Sequence, residues 1–419
     1  MSPRVWPAAA TAATIVLAAP AWAREQIGTC GVCHSDRKME FQDSAHAGIG
    51  MACVDCHGGD PTDMEITAMS AQKGFRGSPS RHSIPVFCAR CHSDPTRMRQ
   101  YGIPTNEFED YQTSQHGIQW AKGNGDVPVC TDCHGVHHIV PVEDPRSSVY
   151  PANVPKTCSK CHSDQKLMGK YGLPSNAYAG FARSLHGKRL LAGDIRAVPS
   201  CVSCHGSHGA TPPGVREIGN VCGQCHTKER DLVDASPHGA ATQAGKMAEC
   251  NSCHGHHYIP PPTSGMLETL CVKCHAVGSD ASQVGQRMLS LIRDEERKVA
   301  LAERELNEMR REGQEVAGME AMLRQAKMAD VLTAQDQHSM DPDRVEQHTV
   351  LAGATGQEII DQIAEIRKRV ATRKIGLAIV LGFVLWNALL LYWKRRRVEE
   401  RQAASHDSRA SRSAAGPGR

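Results

Sequence analysis

The stretch CTDCHGVHHI, Cys130–Ile139, packs two cysteines and three histidines into one short segment. Such a segment suits an iron site, a zinc site or a disulfide. The rest of the chain decides among them. C-x-x-C-H recurs nine times and uses all 18 cysteines. The pairs are Cys30 with Cys33, Cys53 with Cys56, Cys88 with Cys91, Cys130 with Cys133 and Cys158 with Cys161. Four more follow: Cys201 with Cys204, Cys222 with Cys225, Cys250 with Cys253 and Cys271 with Cys274. The histidines directly behind them are His34, His57, His92, His134, His162, His205, His226, His254 and His275.

A structural zinc site closes a tetrahedron of four ligands, which gives no reason for a histidine behind every pair. A disulfide framework is equally silent about that histidine. A thioredoxin-like motif would occur once, beside a βαβ pattern. C-x-x-C-H is instead the attachment signature of haem c. The thiols add to the vinyl groups as thioethers, and the adjacent histidine reaches the iron. Nine covalent haems c are therefore expected. The composition agrees, because only 4% of the 419 residues are aromatic. Large rings normally supply much of a core. Here porphyrins are expected to form the interior between Cys30 and His275. Mostly irregular chain and short α-helices would wrap around them, as in a multihaem cytochrome c. A net charge of +3 makes no electrostatic case for nucleic acid.

An internal repeat sorts the remaining histidines. CARCHSDPTRMRQYGIPTNEFEDYQTSQHG, from Cys88, aligns without a gap on CSKCHSDQKLMGKYGLPSNAYAGFARSLHG, from Cys158. After a one-residue insertion, VPVCTDCHGVHHI aligns on VPSCVSCHGSHGA. The repeat is C-x-x-C-H, then S-x-H-G, then C-x-x-C-H-G-x-H. A shorter copy starts at Cys222 and a weaker one at Cys30, while Cys271 opens a fifth that is not completed.

The motif supplies one axial ligand per iron, and the repeat nominates the other. The S-x-H-G position holds His46, His116, His186 and His238. The third residue after the motif histidine is His137, His208 or His257, but Asp60 in the first repeat. His82, just before the third motif, is the expected replacement, and His338 is the ninth candidate. His138, His256 and His348 are left as bystanders. Which iron each histidine caps cannot be read from spacing. No methionine holds a repeat-locked position. Bis-histidine ligation argues for negative potentials, since methionine ligands raise them.

The N-terminus has Arg4, an alanine-rich apolar stretch and an A-x-A site at Ala21–Ala23, so residues 1–23 read as a signal peptide. The run IGLAIVLGFVLWNALLLYW, Ile375–Trp393, is uncharged and long enough for one membrane crossing. Basic clusters bracket it on both sides, so the signal peptide must set orientation. The expected organisation is a nine-haem domain over 24–280, an α-helical hairpin region over 281–373 and a transmembrane helix over 374–394. A disordered cytoplasmic tail over 395–419 completes it, with the haem domain in the periplasm. In the helical region Val284, Met288, Leu291, Val299, Ala302, Leu306 and Met309 mark one helical face, and Gly313 ends that helix. A second helix is expected over about Glu315–Asp336. A third enters the membrane, with Gly353–Gly356 as its candidate break.

Over residues 30–275 the repeat, with YGIPTN and YGLPSN between its parts, resembles the membrane-anchored periplasmic multihaem c-type cytochromes of anaerobic respiration. The segment GMEAMLRQAKMADVLTAQDQHSMDP is similar to the helical hairpin that follows the haems in some of them. The resemblance implies electron relay between a quinol-oxidising membrane partner and periplasmic or outer-membrane acceptors. In the small quinol-dehydrogenase cytochromes the anchor is N-terminal, whereas here it is C-terminal. The reading is an electron carrier with no catalytic residue, acting alone or as a haem subunit of a larger complex. The alternative is a multihaem reductase or oxidase of nitrite, hydroxylamine, tetrathionate or sulfite. That alternative needs one iron with an open axial position.

Overall fold

A computed structural model describes residues 28–210, 218–244, 246–247 and 249–414. The signal-peptide segment lies outside the described residues. Among those described there is no strand, and helices carry the whole fold. They fall into two compact bodies. The first runs up to Arg230 and takes in His238–Thr263, and the second comprises Asp231–Pro237 and the residues from Ser264 onward.

The first body holds eight of the motifs on short helices joined by turns. Few large side chains are buried in it. Leu190, Trp120, Val129, Met98 and Met168 are the main ones, too scattered to make a continuous core. Its regularity comes from the repeat instead. Ala45 N donates to the Ile139 carbonyl at 2.7 Å, Gln115 N to Ala210 at 3.4 Å and Leu185 N to Ile259 at 3.0 Å. Each bond joins the residue after the S-x-H-G serine to the segment behind the second motif of the next repeat. The same stitch thus holds the first repeat to the second, the second to the third and the third to the fourth.

The second body is built on three long helices, Asp280–Arg311, Ala317–Asp336 and Pro342–Ala414. Ser279 caps the first, its hydroxyl accepting from Ser282 N. Gly313, at φ +73°, turns the chain after it. The apolar stripe read from sequence is the buried face. Ala302, Leu306 and Met309 pack on Met319 of the second helix and on Ile359 and Ile363 of the third. Full burial of side chains of this size is worth about 1.5–3 kcal/mol each. The expected hairpin is therefore closed by a third helix into a bundle.

That third helix is not interrupted at Gly353–Gly356. Gly356 instead lets the first helix approach closely, since a Cβ there would lie 3.1 Å from the Lys298 carbonyl carbon. Beyond the bundle the helix carries an apolar window of mean hydropathy 2.2, none of it buried, which suits a membrane anchor. The helix then continues to Ala414 where a disordered tail is expected. Arg395–Glu399 and Arg396–Glu400 pair one turn apart there, and no Gly or Pro interrupts before Gly416.

Candidate multihaem site

Two local structures present the histidines. The first is the serine turn. Ser114 Oγ accepts from Gly117 N at 3.0 Å, and Ser184 Oγ from Gly187 N at 2.9 Å. Ser44 caps Ala47 N in the same way. Each serine starts a helix, and Ser114 and Ser184 also end the one before, so the histidine falls on the first turn of the new helix. Ser114 and Ser184 also donate back to the Tyr111 and Phe181 carbonyls, both at 2.6 Å. The glycine is required by space. A Cβ on Gly117 would sit 1.8 Å from the Tyr111 oxygen, and one on Gly187 1.9 Å from that of Phe181.

The second structure is the C-H-G turn. The second motifs form the short helices Cys53–His57, Cys130–His134 and Cys201–His205. A side chain between the cysteines closes each start: Asp55 accepts from Ala52 N, Asp132 from Val129 N and Ser203 from Ser200 N. Gly58, Gly135 and Gly206 follow at φ +68°, +84° and +81° and end the helices. The chain doubles back there, and His137 and His208 lie on the return.

These turns bring imidazoles together in pairs. Ring centroids are 6.1 Å apart for His46–His92, 6.1 Å for His116–His162 and 6.2 Å for His186–His226. They are 6.3 Å apart for His57–His137, 6.0 Å for His134–His208 and 5.9 Å for His205–His257. Every pair joins a motif histidine to a repeat-position histidine, and every pair crosses between neighbouring repeats. The S-x-H-G histidine meets the first motif of the following repeat. The C-H-G-x-H histidine meets the second motif of the preceding one.

The separation is chemically specific. A metal–imidazole bond is about 2.0 Å, and a ring nitrogen lies about 1.1 Å from its ring centre, so two axial imidazoles on one metal stand about 6.2 Å apart. The six pairs span 5.9–6.3 Å. Imidazoles in direct contact are closer, as His256 and His257 are at 5.0 Å. The residues therefore fit haem iron held between two histidines. No cluster of three or more metal-ligating side chains is placed for a lone ion among the described residues.

The surrounding groups favour the neutral, ligating form. Burial pushes His46, His116, His162, His186 and His257 below the ordinary histidine range, and His134 down to about 4. His57 Nδ1 lies 3.0 Å from the Gly77 carbonyl, which leaves Nε2 for a metal. His338 Nδ1 bonds the Gln335 carbonyl in the same way, at 3.0 Å. His137 Nδ1 stands 3.5 Å from the Glu40 carboxylate.

Consecutive motifs are also neighbours through their thiols. The free thiols of Cys88 and Cys130 are within hydrogen-bond reach, as are those of Cys158 and Cys201, each pair joining the two motifs of one repeat. Cys53 feels the charge of Cys30. Between repeats the neighbours are Cys56 with Cys91, Cys133 with Cys158 and Cys204 with Cys225. The first seven motifs thus follow one another in space in their sequence order.

The cysteines are less enclosed than an interior running from Cys30 to His275 leads one to expect. Cys33, Cys204, Cys225, Cys253 and Cys274 are exposed, and the other thirteen are partly buried. Each exposed cysteine is the second of its motif, next to the histidine. Cys250 and Cys253 sit on the helix Glu249–His254, while Cys271 opens the turn Cys271–Lys273 and Cys274 follows it. Cys271 and Cys274 belong to the second body, not to the body that holds the other eight motifs.

His82 is placed differently. Its ring stacks on Trp120 at 5.0 Å, and Trp120 Nε1 donates to its carbonyl at 2.9 Å. Among the described residues it stands against no motif histidine. His138 lies near Asp144 and His348 Nε2 sits 3.2 Å from Asp336. The offset between repeats is the feature that motif-by-motif reading misses. Two signals for it were available: the missing histidine at Asp60 in the first repeat and the unfinished repeat at Cys271.

Residues 45–163 match the cytochrome c3 family. A family model of the doubled C-x-x-C-H motif matches residues 195–231. The protein thus carries multihaem c-type cytochrome segments. These segments indicate covalently bound haem c and electron transfer. No curated protein and no solved structure matches the chain. In this chain the cysteine pairs would hold the porphyrins and the paired histidines their irons. The haem supplies the one-electron chemistry, while the chain sets ligation, spacing and burial.

Proposed function

We propose that the protein relays electrons along an array of nine haems c, mainly bis-histidine ligated, held in the periplasm by a single C-terminal membrane anchor. The six imidazole pairs carry this reading. They would supply opposed ligands for the irons of motifs two to seven, which would leave no open axial position on those irons. His238 and His338 are further iron ligands in this reading, and His82 drops out of the ligand set. The domain limits are those of the sequence: signal peptide 1–23, haem domain 24–280, helical region 281–373 and anchor 374–394.

Electrons would enter from a quinol-oxidising membrane partner and leave to periplasmic or outer-membrane acceptors. The thiol neighbourhoods support a path in sequence order, because each of the first six motifs adjoins the next. The exposed apolar helix supports the membrane location. The test is a redox titration of the purified full chain in detergent, with haem counted by pyridine haemochrome. Nine haems per chain, titrating over a wide and mostly negative window, are expected. Far fewer haems, or a single narrow transition, would overturn the reading.

A further inference from the structure

We propose that the haem held by Cys30, Cys33 and His34 takes no second histidine from this chain. Its distal side then binds a small external ligand of the π-acceptor class, such as carbon monoxide or nitric oxide on ferrous iron. This inference rests on the haem reading above and goes one step past it.

The offset between repeats is the starting point. A first-motif histidine is met by the S-x-H-G histidine of the repeat before it, as His92, His162 and His226 show. The first motif has no such donor, and residues 1–29 contain no histidine. The same rule accounts for Asp60. A histidine there would serve the second motif of an earlier repeat. Asp60 instead accepts from Thr62 and pairs with Lys73 at 3.1 Å.

The other nearby histidines are engaged elsewhere. His82 is stacked on Trp120 and anchored through its carbonyl. Its neighbour Arg81 is tied to Asp132 at 2.7 Å, so the segment cannot leave without breaking that pair. His138 faces no other imidazole among the described residues, and its charged neighbour is Asp144. His46 and His137 already face His92 and His57. His34 itself is exposed and makes no ring contact, hydrogen bond or ion pair through its side chain among the described residues. A haem on this motif would therefore stand at the start of the array, on an exposed segment, with His34 as the one imidazole placed for it among the described residues. Cys30 adjoins Cys53, so the site is continuous with the rest of the haems.

The experiment uses the full holoprotein in detergent. Pyridine haemochrome comes first: a count far below nine haems overturns the haem reading itself. With that count in hand, ferric EPR should show one high-spin haem beside low-spin signals. Carbon monoxide titrated into the reduced protein should bind at about one site per chain. The Cys30→Ala/Cys33→Ala double variant should lose one haem, the high-spin signal and the carbon monoxide site together. His82→Ala, a mild surface change, should leave both the spectrum and the stoichiometry unchanged. Nine low-spin haems with no carbon monoxide binding would overturn the inference and leave the relay intact. So would a carbon monoxide site that survives loss of Cys30 and Cys33, or a new high-spin signal in His82→Ala.

Discussion

The His134 ring lies 6.0 Å from the His208 ring, which belongs to the next repeat. His134 follows its own cysteines, so in the proposed ligation one iron site would be assembled from two repeats. His208→Ala should leave the haem count unchanged but convert one low-spin haem to high-spin. Ferric EPR and carbon monoxide binding would each register one added site. No change in either would remove His208 from the ligand set.

The pairing also predicts which variants mask each other. His116 faces His162, not the motif of its own repeat. His116→Ala should therefore add a high-spin signal in the full protein. It should add none when Cys158→Ala/Cys161→Ala has already removed that haem. An added signal in the triple variant would place His116 on another iron.

The serine turn makes a steric prediction. A Cβ on Gly117 would overlap the Tyr111 carbonyl, which is backbone and cannot swing away. Gly117→Ala should destabilise the fold by about 2 kcal/mol or more and lower the yield of fully loaded protein. Gly169, inside the helix Gln165–Lys170, has open space around its Cα and an ordinary φ. Gly169→Ala should be neutral or stabilising by about 0.5–1 kcal/mol, because Gly is a poor helix former. Thermal melts of the two variants side by side would check the contrast.

The helical bundle carries its own pH dependence. Glu295 is 1% exposed, beside Asp330 of the second long helix. Burial, then Asp330, pushes its carboxyl from 4.5 up to about 8. The native group thus holds its proton more tightly than the unfolded one. Its contribution to stability is full below pH 4.5 and is lost as pH rises toward 8. Glu295→Gln mimics the protonated form. It should flatten that slope and raise stability near pH 7 by roughly 1–3 kcal/mol. Thermal unfolding of the helical signal between pH 5 and 8 would show it, and an unchanged slope would refute it.

The membrane anchor is separable from the bundle. Arg367 reaches back to Glu305 and Glu308, and Ile366 still packs on the core, but the apolar run beyond is exposed throughout. A chain ending after Arg369 should stay in the soluble fraction with the haem spectrum of the full protein. Loss of haem, or continued membrane association, would count against that division.

Much of this was legible in sequence for physical reasons. Cysteine chemistry marks the nine motifs, and the serine and glycine of S-x-H-G and C-H-G are demanded by local backbone geometry. The stripe from Val284 to Met309 follows from helical period alone. What spacing could not convey is which partner a histidine meets, because that depends on a backbone stitch such as Ala45 to Ile139 between repeats. His82 looked available by position, yet a stacking partner distant in sequence, Trp120, holds it. Gly353 and Gly356 looked like a break because only the approach of another helix shows why a small residue stands at Gly356. The course of the third helix past Arg395 rests on pairs one turn apart.

The crossed ligation also sets an order of events during synthesis. In the proposed ligation His46 is made before the motif ending in His92, so that iron would find its second ligand already waiting. The iron behind His57 must wait for His137, well down the chain. Maturation in that scheme would advance like a zip, with each second-motif haem left open until the following repeat is made.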